Sequence, residues 1–276
     1  MSDGMRESFR ETGEIMNELV VRAKETMKAG GSRRDFFFKT AKLAGATALG
    51  AAGAGLLQPI AAKAATATVT DTTLNILNIA ATAEALATTL YYNALISDGL
   101  PDVNDMASRN YFQAAVVQEY AHLEILRSLG GQTMTLRFFV PEGFLHNEKV
   151  LFPTMELLET YFISAYTAAA IEFSGAVSSG ITSANTTALG LCVQILGVEC
   201  EHRALLRVAA GTNPANNVLI ESALVPSVGA AVTPLMPFIS AGTSGYVGPL
   251  VLPSKNLVNN VAEPYGFSSF PSYTIV

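Results

Sequence analysis

Two of the three histidines in this chain follow a glutamate by three residues, in Glu119-Tyr120-Ala121-His122 and Glu199-Cys200-Glu201-His202. On a helix, residues three apart share a face, so each pair aims a carboxylate and an imidazole at one neighbour. Both pairs stand among apolar residues, Ala115, Val116 and Leu126 around the first and Ile195, Leu196 and Leu206 around the second. A carboxylate taken out of water needs its charge compensated. Two such pairs on two apolar helices point to a metal centre inside a helical bundle, the arrangement that meets this need most directly.

The rest of the sequence supplies the helices. Apolar residues recur with helical period from Thr72 to about Ile96, placing Leu77, Ala80, Ala81, Glu84, Ala87, Tyr91 and Leu95 on one face. Ser97-Asp98-Gly99-Leu100-Pro101 interrupts the pattern, and a second helix is expected from about Asp105 to Leu129, ended by Gly130-Gly131. Residues 131–153 alternate only weakly and carry Pro141, Gly143 and the third histidine, His146, read as a loop residue. A third helix is expected after Pro153, running to about Ser178, and a fourth from about Asn185 to Ala210, ended by Gly211 and Pro214. The order of connections is short, long, short. That describes an all-α four-helix bundle with one long crossover over residues 65–211.

A dinuclear carboxylate centre in such a bundle takes one glutamate from each of two helices and a Glu-x-x-His pair from each of the other two. The second and fourth helices provide Glu119 with His122 and Glu199 with His202. The first helix has one interior candidate, Glu84, flanked by the small residues Ala80, Ala81, Ala87 and Thr88. The third offers Glu156, Glu159 and Glu172. Glu159 is preferred because Tyr166 follows it by seven residues, as Tyr91 follows Glu84, and seven residues are two helical turns. Each tyrosine thus lies on its glutamate's face, within reach of the site. Glu172 is the alternative. Fe²⁺ and Mn²⁺ suit oxygen and imidazole ligands, and two divalent ions balance four carboxylates.

Other polar residues read as less specific. Glu124, Glu201 and Arg203 are expected in helix-surface ion pairs, Cys192 as a small buried hydrophobe and Cys200 facing away from the site. The two cysteines are eight residues apart, about 12 Å of helix, too far to form a disulfide within it.

The two ends differ from the bundle. Residues 1–31 form a charged extension. Residues 32–64 resemble a twin-arginine export signal: Ser32-Arg33-Arg34-Asp35-Phe36-Phe37-Phe38-Lys39, then an Ala/Gly-rich run from Leu43 to Leu57, then Ala62-Lys63-Ala64 as a cleavage pattern. The run is short for a bilayer core of about 30 Å. The twin-arginine export machinery is therefore an expected partner, with a periplasmic or extracellular location in a bacterium. From residue 65 onward there are seven Lys/Arg against sixteen Asp/Glu and no basic cluster, which argues against nucleic acid. Residues 212–276 hold most of the twelve prolines and only three charged residues, Glu221, Lys255 and Glu263. They read as an extended, partly β arm packed on the bundle or on another subunit of a homo-oligomer.

From Leu74 to Ala210 the chain resembles the ferritin-like superfamily, and within it exported bacterial ferritin-like domain proteins related to plant desiccation-related proteins. The likeness rests on Leu158-Glu159 through Ala165-Tyr166, and on Ile195-Leu196-Gly197-Val198-Glu199 with His202-Arg203-Ala204. It implies a ferritin-like bundle with two iron or manganese ions at Glu84, Glu119, His122, Glu159, Glu199 and His202. The activity expected of such a site is oxidation of Fe²⁺ by O₂ or peroxide, or a manganese-catalase-like reaction. The alternative is a secreted stress-protective or structural protein that uses the bundle as a scaffold without turnover.

Overall fold

The computed structural model describes residues 71–179, 183–272 and 274–275. The charged extension and the export signal lie outside the described residues. The four long helices are α1 (Thr73–Leu95), α3 (Met106–Ser128), α4 (Glu148–Ser179) and α5 (Ser183–Ala209), with a one-turn helix α2 (Pro101–Asn104) between the first two. α1 packs on α3 and α4 on α5, and α3 meets α5 across the bundle. The crossover from α3 to α4 carries the strand β1 (Arg137–Pro141). Among the described residues no helix is long and apolar enough to cross a membrane.

Local chemistry sets the helix ends. Thr72 caps α1 by accepting from the Asn75 N–H at 3.2 Å, and Asp105 caps α3 by accepting from the Ala107 N–H at 3.2 Å. α3 closes at Gly130, whose φ of 98° lets the Gly131 N–H reach back to the Leu126 carbonyl at 3.0 Å. α5 closes in the same way at Gly211, φ 73°, with Thr212 N–H on the Arg207 carbonyl at 2.8 Å.

The third helix begins earlier than its proline suggests. α4 starts at Glu148 and contains Pro153. Asn147 caps it, its side chain accepting from the Lys149 N–H at 3.0 Å. Pro153 is exposed in the second turn, so the carbonyl it leaves without a donor can turn to water and the helix continues.

The arm is more helical than its prolines imply. It contains α6 (Val232–Ile239), β2 (Tyr246–Val251) and α7 (Lys255–Val261), with single 3₁₀ turns at Gly229–Ala231 and Phe267–Ser269. β2 pairs antiparallel with β1, Phe138 opposite Leu250 and Val140 opposite Val247, leaving one extra residue on β2. Gly248 lies in this bulge with φ 148°, and a Cβ there would stand 2.8 Å from the Phe138 carbonyl oxygen.

The arm packs on its own bundle, and the two form one compact unit. Val228, Leu235, Phe238 and Val258 are buried against the core. Gln113 Nε2 donates to the carbonyls of Val261 and Glu263 at 3.1 and 2.7 Å. Because the arm covers the outer side of α1, every residue from Ala81 to Tyr91 is buried. The hydroxyls of Thr82, Thr88 and Thr89 bond to the carbonyls of Asn78, Glu84 and Ala85, each at 2.7 Å, so they need no water. Among the buried side chains of this helix, that leaves the Glu84 carboxyl and the Tyr91 hydroxyl to be satisfied by the bundle interior.

Candidate metal centre

α1, α3, α4 and α5 each turn one carboxylate inward at the same level. Glu84 is 2 % exposed, Glu119 0 %, Glu159 2 % and Glu199 0 %, and no such group is buried cheaply. Their atoms fall into two overlapping groups, each with ligand atoms within 4.8 Å of one another: Glu84, Glu119, His122 and Glu199; and Glu119, Glu159, Glu199 and His202. Glu119 and Glu199 belong to both. Each imidazole lies nearer the glutamate of the other helix than its own. His122 Nδ1 is 3.3 Å from Glu199 and 3.7 Å from Glu119, while His202 Nδ1 is 2.8 Å from Glu119 and 3.3 Å from Glu199. It is also 3.4 Å from His122 Nδ1 to Glu84.

Proximity here does not mean saturation. Glu84 Oε2, both oxygens of Glu119, His122 Nδ1, Glu159 Oε2 and Glu199 Oε1 are buried without a hydrogen-bond partner among the described residues. Even the 2.8 Å approach of His202 to Glu119 is an ion-pair contact without hydrogen-bond direction. Lone pairs on four helices converge on one small volume, oriented for something that accepts electron pairs. Oxygen and imidazole donors in that number fit two ions such as Fe²⁺ or Mn²⁺, and two divalent charges offset four carboxylates.

Protonation takes the place of metal in the free cluster. Burial, with the neighbouring Glu199 and Glu84 charges, raises the Glu119 carboxyl well above its usual range. Burial and Glu199 do the same to Glu159. Burial pushes Glu199 upward too, but His122 and His202 outweigh it and hold this carboxyl far below the ordinary value. Both imidazoles end up raised. Burial pulls His122 down, yet Glu84, Glu119 and Glu199 more than reverse it, and for His202 Glu199 and Glu159 lead the reversal.

The two tyrosines hold the outer oxygens. Tyr91 Oη donates to Glu159 Oε1 at 2.7 Å, and Tyr166 Oη donates to Glu84 Oε1. Both hydroxyls are raised well above their usual range, by burial first and then by these carboxylates. The sequence places each tyrosine on the face of its own helix's glutamate; the structure joins it to the glutamate of the other helix pair.

The remaining candidates lie elsewhere. Glu172 accepts from the Asp71 N–H at 2.9 Å and Glu156 pairs with Arg207 at 3.1 Å, so Glu159 is the α4 residue in the cluster. Cys192 is buried in the core, and burial pushes its thiol up to about 12. Cys200 faces Glu221, and His146 is exposed in the crossover. Glu124 pairs with Lys255 at 2.7 Å, and Glu201 is exposed. Arg203 differs from its expectation as a surface residue. It is 7 % exposed and grips Glu221 of the arm with two 2.7 Å hydrogen bonds.

One contact was not anticipated from the sequence. His202 Nε2 lies 2.9 Å from Gln118 Oε1. The available signal was a polar residue closing the apolar run Ala114-Ala115-Val116-Val117, directly before Glu119.

Small apolar cavities flank the cluster. One of about 20 Å³ lies against Tyr166, walled by Ile79, Ala83, Phe162, Ala169 and Leu235 of the arm. Another of about 10 Å³ lies against Tyr91 and His202. A roomier depression, about 570 Å³, is lined by Asp102, His146 and Glu148 and shares no residue with the cluster.

The fold and the cluster together define a helical-bundle protein whose core is a carboxylate–imidazole site able to hold metal. Residues 72–212, just over half of the chain, match the family described as a ferritin-like domain, and the chain belongs to that family. No curated protein and no solved structure matches it.

Proposed function

We propose that this chain binds two iron ions, or manganese, and oxidises Fe²⁺ with O₂ or peroxide. The observation that carries this reading is the convergence of unpartnered buried oxygens and nitrogen from all four helices. Glu84 and His122 would hold one ion, Glu159 and His202 the other, with Glu119 and Glu199 shared between them. Bound there, the metals would supply the electrons for reduction of the oxidant. The chain's own residues supply the setting. Tyr91 and Tyr166 fix the carboxylates of Glu159 and Glu84 by donating to their outer oxygens. The apolar walls around Ala83, Phe162 and Leu235 bound a space of about 20 Å³ beside Tyr166, enough for a molecule the size of O₂ or peroxide.

Export through the twin-arginine machinery to the periplasm or beyond is part of the same proposal. That route carries folded proteins and fits a site loaded before transport. Association into a homo-oligomer would use the arm's exposed Leu219 and Ile220, which are 93 % and 88 % exposed.

The test is Fe²⁺ oxidation by the purified protein, with O₂ and peroxide supplied separately. Metal-dependent oxidation lost in Glu199→Ala supports the reading. A protein that binds metal and gains only stability, with no oxidation to lose, would instead be a scaffold.

A further inference from the structure

We propose that the two metal positions are unequal, and that Gln118 makes the one served by His202 the tighter. This rests on the reading of the cluster as a metal site. His202 turns Nδ1 toward Glu119 and Glu199 while Nε2 meets Gln118 Oε1 at 2.9 Å. An amide oxygen can only accept, so Nε2 keeps its hydrogen and Nδ1, which bonds Glu199 Oε2 at 3.3 Å in the metal-free chain, is the nitrogen that yields its proton and gives its lone pair when an ion binds. That is the tautomer and ring orientation a metal ion needs. The ring is held further by Tyr91, whose centroid is 5.8 Å away, and the His202 side chain is 2 % exposed.

Among the described residues, His122 has no equivalent support. The two Glu-x-x-His helices correspond residue for residue, and where Gln118 precedes Glu119, Val198 precedes Glu199. A valine side chain neither donates nor accepts. The His122 side chain is 10 % exposed, five times the value for His202. Binding at the His122 position must therefore select the ring's tautomer and orientation at the moment the ion arrives. At the His202 position both are set in advance. Outer hydrogen bonds to ligating histidines are worth about 10–100-fold in metal affinity, which is the separation expected between the two positions.

The experiment titrates the metal-free full chain with Co²⁺, following heat and visible absorption. Wild type should take up the ion in two steps about tenfold or more apart. Gln118→Leu should weaken the tight step until the two merge, while stoichiometry is kept. Gln118→Glu, which still accepts from Nε2–H, should keep the steps apart, and Val198→Gln should strengthen the weak one. In the Zn²⁺-loaded protein, one slowly exchanging histidine Nε2–H signal should be present and should vanish in Gln118→Leu. Two indistinguishable steps in wild type, or unchanged steps in a folded Gln118→Leu, would overturn the inference while leaving the metal-site reading intact. No uptake of Co²⁺ by wild type would overturn both.

Discussion

Tyr91 donates a 2.7 Å hydrogen bond to Glu159, the glutamate of the opposite helix pair, and Tyr166 returns the relation by donating to Glu84. Glu84 falls only in the group with His122, and Glu159 only in the group with His202. Each tyrosine would therefore steady a proposed metal position whose terminal glutamate comes from another helix. Removing the hydroxyl frees one carboxylate oxygen to rotate away from the productive orientation.

Tyr91→Phe should consequently weaken the His202-side position by about tenfold, and Tyr166→Phe the His122-side position by a similar factor. Metal titration of each variant reads this directly. Equal weakening of both steps by either change would contradict the assignment.

The shared carboxylates make a second prediction. Glu119→Gln and Glu199→Gln each remove a charged ligand from both groups, so both ions should be lost together. Glu84→Gln and Glu159→Gln each touch one group and should leave about one ion per chain. Elemental analysis of the four variants distinguishes shared from terminal ligands.

Protons that stand in for metal give the free protein a defined pH response. Glu119 and Glu159 are raised above their ordinary 4.5, and His122 and His202 above 6.5. In each case the native state holds the proton more tightly than the unfolded state. Their stabilisation is complete below the unfolded value and disappears as pH rises through the folded one. Glu199 acts oppositely, since its depressed value contributes above 4.5 and is lost as pH falls. Metal-free protein in chelator should therefore melt at progressively lower temperature as pH rises from 5 to 8, where the four raised groups lose their contribution while that of Glu199 is already complete and constant. Metal affinity should rise over the same interval, because each ion must displace these protons. A flat or rising melting temperature without metal would contradict the charge arrangement.

Arg203 is next to His202 in sequence and bonds Glu221 of the arm through both terminal nitrogens. Glu221→Ala leaves a buried guanidinium without its carboxylate, and since Glu221 is 31 % exposed the expected cost is about 1–3 kcal/mol. Denaturant unfolding measures it. A loss near zero would mean that water replaces the carboxylate at this junction.

Much of the centre was legible in the sequence because its information is local. Glu119 with His122 and Glu199 with His202 are set by three-residue spacing, and the seven-residue step to Tyr166 separates Glu159 from Glu172. The crossed tyrosines were not legible, since spacing fixes a face and not which neighbour that face meets. Gln118 is a similar case: the residue is visible, but its partner is on another helix. α1 shows only weak amphipathicity because the arm buries its outer side, a contact made more than a hundred residues away in sequence, as where Leu235 shares a cavity wall with Ile79 and Ala83. The early start of α4 depends on Asn147 as a cap and on Pro153 facing solvent, and the proline alone pointed the other way. The arm's short helices are held by the bundle rather than by their own pattern.

The most direct test of the central claim is metal content per chain, measured on purified full-length protein and on Glu199→Ala after loading with Fe²⁺ under anaerobic conditions. Two ions per wild-type chain, with both lost in the variant while the helical signal is retained, is the predicted result. Unchanged metal content in Glu199→Ala, or a wild-type chain that takes up none, would contradict it.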